Sequence, residues 1–292
     1  MRAIHREPVV RQYYANVCSC GYLLSWASLI TTILLPLLLV YNPTTFWPRS
    51  VPYKEQPNVD FLYQVLLVAE GTAVDSNGNV AGFSAFWSSL PSSINQLAAG
   101  TLRPGQIKSY SEDDNSDGVT DRLSLQLSMP IHVGEAIHKA SLLVVLNTSL
   151  RTNAQLDMDA VALISHASPL PAISLYTVCD LELSVKSPLA LTTEVQTPYA
   201  SAAVLNVSNI IHANDLRLER FVLAQNRREN KAIVRQQQHV WIQDANGVAV
   251  ANRVFVMNAT INVPTADISY IPTFYQTLQT GWIQVSCTFG HG

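Results

Sequence analysis

The sequence predicts a membrane-anchored, mainly β protein, in which an N-terminal transmembrane helix is followed by an antiparallel β-sandwich-like domain with one or two short helices. An uncharged apolar run near the N-terminus predicts the helix, and alternation of apolar and polar residues between turn signals predicts the strands. The expected segments are a cytosolic N-terminus at 1–16, a transmembrane helix at 17–41, a stalk at 42–57, a lumenal or extracellular β domain at 58–270, and the approach to a second span at 271–292.

The composition agrees with this division. The 292 residues are 48% hydrophobic and 13% charged, and the formal net charge is −3 at pH 7. No block rich in lysine or arginine occurs, so we expect no nucleic-acid partner. Enough residues follow the anchor for one large β domain with its own hydrophobic core.

The apolar run at 17–41 contains no charged side chain. At about 1.5 Å per residue, a helix of this length covers about 35 Å, slightly more than the hydrocarbon core of a bilayer. A cleaved signal peptide would have a shorter apolar core followed by small residues, which the segment VYNP at 40–43 lacks. We therefore interpret the run as a retained anchor. Because Arg2, Arg6 and Arg11 outnumber Glu7 before it, the positive-inside rule places the N-terminus in the cytosol.

After a proline-containing stalk, the pattern changes to period two. Residues 59–68 are rich in β formers, Asn77-Gly78 provides a hairpin turn, and residues 83–87 form the returning strand. Residues 122–129 alternate between apolar and polar side chains, which predicts a half-buried strand.

Further strands are predicted at 141–146, 158–164 and 175–185, the last two separated by Pro169 and Pro171. Many strands with few helices favour an antiparallel β-sandwich.

The best helix candidate of the domain lies at 215–230, where apolar residues at helical spacing precede an arginine-rich end. Its arginines are expected to be exposed: Arg217, Arg220, Arg227 and Arg228. A second hairpin is predicted at Asn246-Gly247, between strands at 240–243 and 254–263.

Three N-x-S/T sequons follow the anchor, at Asn147, Asn206 and Asn258. Each motif is common by chance, but all three agree with a lumenal or extracellular domain and are predicted glycosylation sites. Four cysteines are too few for a disulfide scaffold. Cys18 and Cys20 lie at the cytosolic edge of the predicted span, where S-palmitoylation occurs in some proteins. The sequence leaves open whether Cys179 and Cys287 pair.

An acidic loop is the one candidate metal site. Asp113, Asn115, Asp117 and Asp121 occupy positions one, three, five and nine of a calcium-loop pattern, with Gly118 at position six. The twelfth position is Ser124 rather than the bidentate glutamate of an EF-hand, so calcium would bind weakly in a loop that leads into a strand. The alternative is a solvated turn rich in Asp and Asn that needs no metal.

No catalytic motif is recognisable, and we expect no enzyme activity and no small-molecule substrate. His132 and His138, with Glu135 between them, have the wrong spacing for a zinc-binding HExxH helix. The sequence also lacks a G-x-S-x-G nucleophile motif and a phosphate-binding P-loop.

Several sequence blocks, in order along the chain, carry a family resemblance. They are Pro8, Val9, Arg11, Tyr13 and Cys18-Ser19 before the apolar run; Phe46-Trp47, Tyr53-Lys54-Glu55-Gln56-Pro57, Val59, Phe61 and Gln64-Val65-Leu66-Leu67-Val68-Ala69 after it; then Glu112-Asp113, Asn115, Asp117-Gly118, Thr120-Asp121 and Leu123; Leu175-Tyr176, Asp180-Leu181 and Pro188-Leu189; and finally Asn258-Ala259, Ile261, Pro264 and Ile268-Ser269-Tyr270. In these blocks the chain resembles the transmembrane protein 231 family of two-span proteins of the ciliary transition zone.

The resemblance implies a structural component of the Meckel-syndrome complex at the ciliary base. Such a component contributes to the membrane diffusion barrier and to cilium assembly. Its implied partners are the membrane, other transition-zone membrane proteins, tectonics and B9-domain proteins. Family members cross the membrane again just after the position of Trp282, whereas this chain ends ten residues later. We interpret this as a truncated second span, the alternative being a single-pass form.

Two other function classes share some of these features. A calcium-dependent cell-surface binding or adhesion module would have the same anchor, sequons and acidic loop, but not the ordered family blocks. A membrane-tethered hydrolase would need a nucleophile and a base that fold together from distant positions. We expect the transition-zone scaffold.

Overall fold

The computed structural model describes residues 14, 16, 19–40, 48–192, 194–203, 205–244, 250–277 and 279. They belong to two compact units, one of Met1–Arg49 with Pro272–Gly292 and one of Ser50–Ile271, which is the β domain. Most of the predicted cytosolic segment, the first part of the stalk, the turn at Asn246-Gly247 and the chain beyond residue 280 lie outside the described residues.

In the first unit, helix α1 spans Cys20–Val40 and confirms the helical prediction for the apolar run. The Ser19 hydroxyl accepts a hydrogen bond from the Tyr22 amide at 3.3 Å and caps the helix start. The hydroxyls of Thr31 and Thr32 donate to carbonyls one turn earlier, both at 2.7 Å, so neither needs a partner outside the helix. Over the described residues, no helix is both long enough and apolar enough to cross a membrane.

The described residues of the β domain form eleven strands and two α-helices. They are β1 Val51–Glu55, β2 Asn58–Val74, β3 Val80–Ser88, α2 Ser92–Leu97, β4 Gln106–Glu112, β5 Arg122–Ile131, β6 Glu135–Leu150, β7 Leu156–Val185, β8 Leu189–Ala190, α3 Leu218–Asn226, β9 Asn230–Gln243, β10 Arg253–Asn262 and β11 Ala266–Ile271. Eight strands form one curled sheet in the order β3-β2-β6-β7-β10-β5-β4, with β9 also paired to β7, and β1-β11-β8 form a small second sheet. The mainly β prediction is confirmed.

Strand β7 joins the two halves of the curled sheet. Its first part pairs with β6 without interruption up to Ala167, and one further pair joins Ile137 of β6 to Ala172. Its second part pairs with β10 from Ser174 and with β9 on the other side. Pro169 and Pro171 lie between Ala167 and Ala172, in the register shift before β7 exchanges β6 for β10. Proline has no backbone N–H to donate to a neighbouring strand, so it fits this bend. The prediction of two strands separated by the prolines is therefore wrong, since the strand bends and continues.

The main hydrophobic core lies between the two halves of the sheet. Inward-facing side chains of β2, β6 and the first part of β7 pack against those of β5, β10 and the second part of β7. Leu123, Leu125 and Leu127 of β5 are almost completely buried, as the alternating pattern predicts. A sandwich-like arrangement follows because each strand presents one apolar face to the same interior.

Two smaller cores complete the domain. The opposite face of β2, β6 and β7 is also apolar, and it is covered by α2, α3 and the segment before α3. Leu66, Leu143 and Phe221 belong to this core. The third core lies between the β1-β11-β8 sheet and the start of β7.

Three details of the predicted fold need correction. The sheet is mixed rather than antiparallel, because β10 runs parallel to β7 and β11 parallel to β8. The strands on either side of Asn246-Gly247 are not hairpin partners, since β7 lies between β9 and β10. The predicted helix begins later and ends earlier than 215–230, and Arg228 after it is buried rather than exposed.

Candidate functional site at the base of the β domain

Both connections of the β domain to the rest of the chain leave from neighbouring strands. β1 begins and β11 ends at a shared antiparallel pair, in which Val51 lies opposite Tyr270. The rings of Tyr53 and Tyr270 meet edge to face, with centroids 5.5 Å apart, and strengthen this pairing. We call the region of the domain formed by β1, β11, the acidic loop and the β6–β7 loop the base.

Glu55, at the end of β1, fixes the β6–β7 loop. One carboxylate oxygen accepts hydrogen bonds from the amides of Arg151 at 2.8 Å and Thr152 at 2.9 Å. The other accepts one from the Tyr53 hydroxyl at 2.9 Å. Burial, together with the nearby Glu55 carboxylate, raises the pKa of Tyr53 to about 12. A charged acceptor with three donors is a strong local restraint, so β1 is held firmly against the larger sheet.

Gln56 continues this restraint to the acidic loop. Its side-chain amide donates to an oxygen of the Asp121 carboxylate at 2.7 Å. The other oxygen of that carboxylate accepts from the amide of Asp114 at 2.8 Å. These hydrogen bonds stabilise the charged form and hold the pKa of Asp121 below its usual value, with Gln56 as the largest cause. The segment at 53–57 therefore joins two loops of the base.

The acidic loop connects β4 to β5 and is closed by its own side chains. Asp113 accepts from the amide of Gly118 at 2.9 Å, and Asp117 accepts from the amide of Val119 at 2.8 Å. Asn115 accepts from the amide of Asp117 at 2.9 Å. Gly118 has a φ of 84°, which glycine adopts without strain. The structure thus brings the four predicted ligand residues into one exposed loop.

The described residues contain no group of three or more His, Cys, Asp or Glu side chains placed to hold a metal ion. In the loop, the carboxylates instead accept backbone amides, as in a solvated turn. Binding of calcium would require these oxygens to exchange amide donors for the ion. Calcium binding stays a prediction.

The three predicted glycosylation sites lie in different surroundings. Asn147 is on the central strand β6, and its side-chain oxygen is buried with no hydrogen-bond partner. Asn206 lies in a turn, where its side-chain oxygen accepts from the Ser208 amide at 3.0 Å. Asn258 lies on the outer face of β10 and is half-buried.

Of the histidine and glutamate motif at 132–138, Glu135 belongs to a buried charge cluster. Glu135 forms an ion pair with Arg103 at 2.8 Å and accepts the amide of His132 at 2.9 Å. Arg253 pairs with Asp244 nearby and donates to the carbonyl of Glu135 at 2.6 Å. Sequence reasoning missed this cluster, because its members come from four separate segments.

A second group that the sequence did not indicate lies where the two halves of the sheet meet. His166 of β7 and His239 of β9 face each other with ring centroids 4.7 Å apart, and Trp241 lies 5.3 Å from His166. The Thr177 hydroxyl lies 3.0 Å from Nδ1 of His239. Burial, with a smaller contribution from His166, lowers the pKa of His239.

Cys179 lies in the main core, where burial raises the pKa of its thiol to about 12. Its Sγ donates to the Thr260 carbonyl at 3.6 Å, and the thiol is free. Cys20 is exposed at the start of α1, whereas Cys18 and Cys287 lie outside the described residues.

The chain is similar in sequence to known proteins along almost its whole length. The sequence model of the family described as Transmembrane protein 231 matches residues 1–290. Transmembrane protein 231 of Xenopus tropicalis is 31% identical over 281 residues, 96% of this chain and 85% of that protein. The Homo sapiens protein of that name is 31% identical over 278 residues, 95% of this chain and 84% of its own length. No solved structure matches. The chain therefore belongs to the transmembrane protein 231 family.

Proposed function

We propose that this protein is a structural component of the ciliary transition zone. It contributes there to the membrane diffusion barrier at the ciliary base and to cilium assembly. Its partners are the membrane and other transition-zone proteins, namely tectonics and B9-domain proteins, and it has no catalytic role. Family membership over nearly the whole chain supports this proposal.

The single structural observation that carries the proposal is the pairing of β1 with β11. A barrier requires anchored proteins whose outer domains keep a fixed position. In this domain the strand that follows the predicted anchor is paired with the strand that ends the domain, so the two chain connections leave side by side. At the other end of β1, Glu55 and Gln56 tie this strand to two loops of the larger sheet. This arrangement suits a scaffold domain with a defined orientation.

The segment at 17–41, which includes α1, acts as the membrane anchor in this proposal. The name of the family, the uncharged apolar sequence and the preceding arginines support this role. The N-terminus then lies in the cytosol, and the β domain lies in the lumen or outside the cell.

The test is localisation of the protein in ciliated cells. The full chain is tagged with a fluorescent protein at its N-terminus, expressed at its endogenous level and imaged beside a basal-body marker. We expect a ring at the ciliary base, just distal to the basal body. In cells without the protein, a plasma-membrane marker should recover faster in the ciliary membrane after photobleaching.

Uniform signal over the cell surface, with unchanged recovery of the marker, would contradict the proposal. That result would favour the calcium-dependent surface-binding module. A cytosolic signal would contradict the anchor as well. A matched control is the same chain with Lys54→Gln, since this exposed side chain forms a surface ion pair with Asp267 at 4.0 Å.

A further inference from the structure

The outer face of the second half of the sheet carries exposed apolar side chains from three neighbouring strands. We call them the apolar patch: Tyr176 and Val178 of β7, Val240 and Ile242 of β9, and Val254 of β10. Each is between 42% and 59% exposed, although the inward neighbours on these strands are buried. Tyr176 lies directly opposite Val240, so the patch is continuous across the strands. A continuous apolar surface of this kind is usually covered in the working molecule.

Asn258 lies within reach of this patch. In the parallel pairing of β10 with β7, Asn258 is the register partner of Tyr176. Neighbouring strands lie about 4.8 Å apart, and register partners point to the same face. A sugar attached to Asn258 would therefore begin beside the exposed ring of Tyr176. Sugar rings have apolar C–H faces that pack well on aromatic rings.

The chemistry of the three sequons also distinguishes Asn258. Its hydroxyl residue is Thr260, whereas the other sequons use Ser149 and Ser208, and threonine supports more efficient glycan transfer than serine. Asn147 has a buried side-chain oxygen, and Ser149 is buried, so a glycan there would disturb a packed face. Asn206 lies in a loop away from the patch strands. Asn258 alone combines a threonine sequon with an uncovered apolar surface.

We propose that Asn258 carries an N-linked glycan whose first sugars lie against Tyr176 and cover the apolar patch. The donor is a lipid-linked oligosaccharide diphosphate. A bond forms between Nδ2 of Asn258 and the first sugar carbon, the sugar–phosphate bond breaks, the lipid diphosphate leaves and one amide proton is released. The inference rests on the proposed function, because it requires the β domain to be on the lumenal side.

The first test compares full-length variants in cultured cells, by gel mobility before and after enzymatic removal of N-glycans. Asn258→Gln and Thr260→Val should each lose one glycan relative to the wild type. Thr260→Ser retains the sequon and should keep it. Thr260→Val preserves the branched shape, so loss of the glycan in this variant cannot be attributed to a packing change on β10.

An added acceptor separates failure of this inference from failure of the proposed orientation. Asn79→Thr makes Asn77 an acceptor in the exposed β2–β3 turn. If the Asn79→Thr variant gains a glycan while Asn258 has none, the orientation holds and the inference is wrong. If neither position carries a glycan, the lumenal location is wrong and the inference fails with it.

The second test asks whether the glycan covers the patch. In hydroxyl-radical footprinting of the full-length protein, oxidation of Tyr176 should rise at least twofold after enzymatic removal of the glycan. Oxidation of Tyr63, which is exposed on β2 in the other half of the sheet, should not change. Equal oxidation of Tyr176 with and without the glycan would contradict the proposal that the glycan covers the apolar patch. Protection of Tyr176 in protein without the glycan would instead assign the patch to a protein partner.

Discussion

At the residue scale, the buried guanidinium of Arg253 connects separate segments of the β domain. Its side chain and that of its partner Asp244 are only 4% and 3% exposed. It also donates to the carbonyls of His132 at 3.0 Å and Glu135 at 2.6 Å. One cation thus holds the turn between β5 and β6 and the start of β10 together. Removing one partner of a buried ion pair strongly destabilises the folded state, because the other charge stays buried.

Replacing Arg253 by alanine should lower the free energy of unfolding by about 3–5 kcal/mol, because the buried Asp244 carboxylate would lose its ion pair with Arg253. The matched control is Arg122→Ala. Arg122 pairs with Glu112 and Asp114 at the surface, where such pairs contribute about 1 kcal/mol or less. Urea unfolding of the full-length protein in detergent measures both. Equal losses for the two variants would contradict the buried-pair argument.

His239 gives a pH dependence with a defined sign. Its pKa in the folded state is lowered below the usual value of about 6.5, so the unfolded chain binds the proton more readily. The contribution to stability is therefore complete above about pH 6.5 and is lost as the pH falls toward the lowered pKa. Between pH 5 and pH 8, the thermal midpoint of the wild type should fall as the pH falls, and His239→Gln should lose part of this pH dependence. The pH dependence should persist in His212→Gln, because His212 is exposed in the wild type.

Cys179 should be inert in the folded protein, since its thiol is buried and its pKa is raised to about 12. A maleimide reagent should label it only after unfolding, as detected by mass spectrometry of the labelled peptide. Cys20 is the internal reference, because it is exposed. A disulfide that includes Cys179 in the native protein would contradict this placement.

At the element scale, local signals were predictable and distant pairings were not. The alternation at 122–129 gave β5 correctly, because a strand with one buried face has only one register that hides its apolar residues. The Asn77-Gly78 turn gave the β2–β3 hairpin, and Gly78 has the expected positive φ. The acidic loop was also visible, since turn chemistry depends on adjacent residues.

The missed features depend on contacts between distant segments. Nothing local to Pro169 indicates that β7 continues by changing partners. Parallel pairing of β10 with β7 joins residues about eighty positions apart. The strands on either side of Asn246-Gly247 therefore pair with β7 and not with each other, as the expected hairpin would require. Arg228 looked like an exposed helix-end arginine, but its guanidinium lies 4.2 Å from the ring of Tyr199 and donates to the carbonyl of Asp159 at 2.8 Å.

The acidic loop carries a prediction of its own. If calcium binds, millimolar calcium should raise the thermal midpoint of the wild-type protein, and Asp117→Ala and Asp121→Ala should abolish the increase. Asp75→Ala is the control, because Asp75 lies in the similar β2–β3 turn, where the sixth and ninth positions are Val80 and Phe83 rather than glycine and an oxygen ligand. Without any calcium dependence in the wild type, the loop is a solvated turn.

At the scale of the whole molecule, the base decides how the β domain is attached. β1 and β11 are short, and Lys54 lies opposite Asp267 in their register. Both side chains are about three-quarters exposed, so they can be replaced without disturbing a core. Register partners in antiparallel strands have Cα atoms about 4.5–5.5 Å apart, which a disulfide can join. The pairing can therefore be tested in the intact protein.

The double variant Lys54→Cys/Asp267→Cys should form a disulfide under mild oxidation of the full-length protein, detected as a cross-linked peptide pair. Neither single variant should form an internal cross-link at these positions. If the pairing serves as the attachment of the domain, the oxidised double variant should still form the ring at the ciliary base, because the bond fixes an arrangement that is already present. Absence of the cross-link would mean that the two chain connections separate in the membrane-bound protein. The scaffold proposal would then lose the observation that carries it.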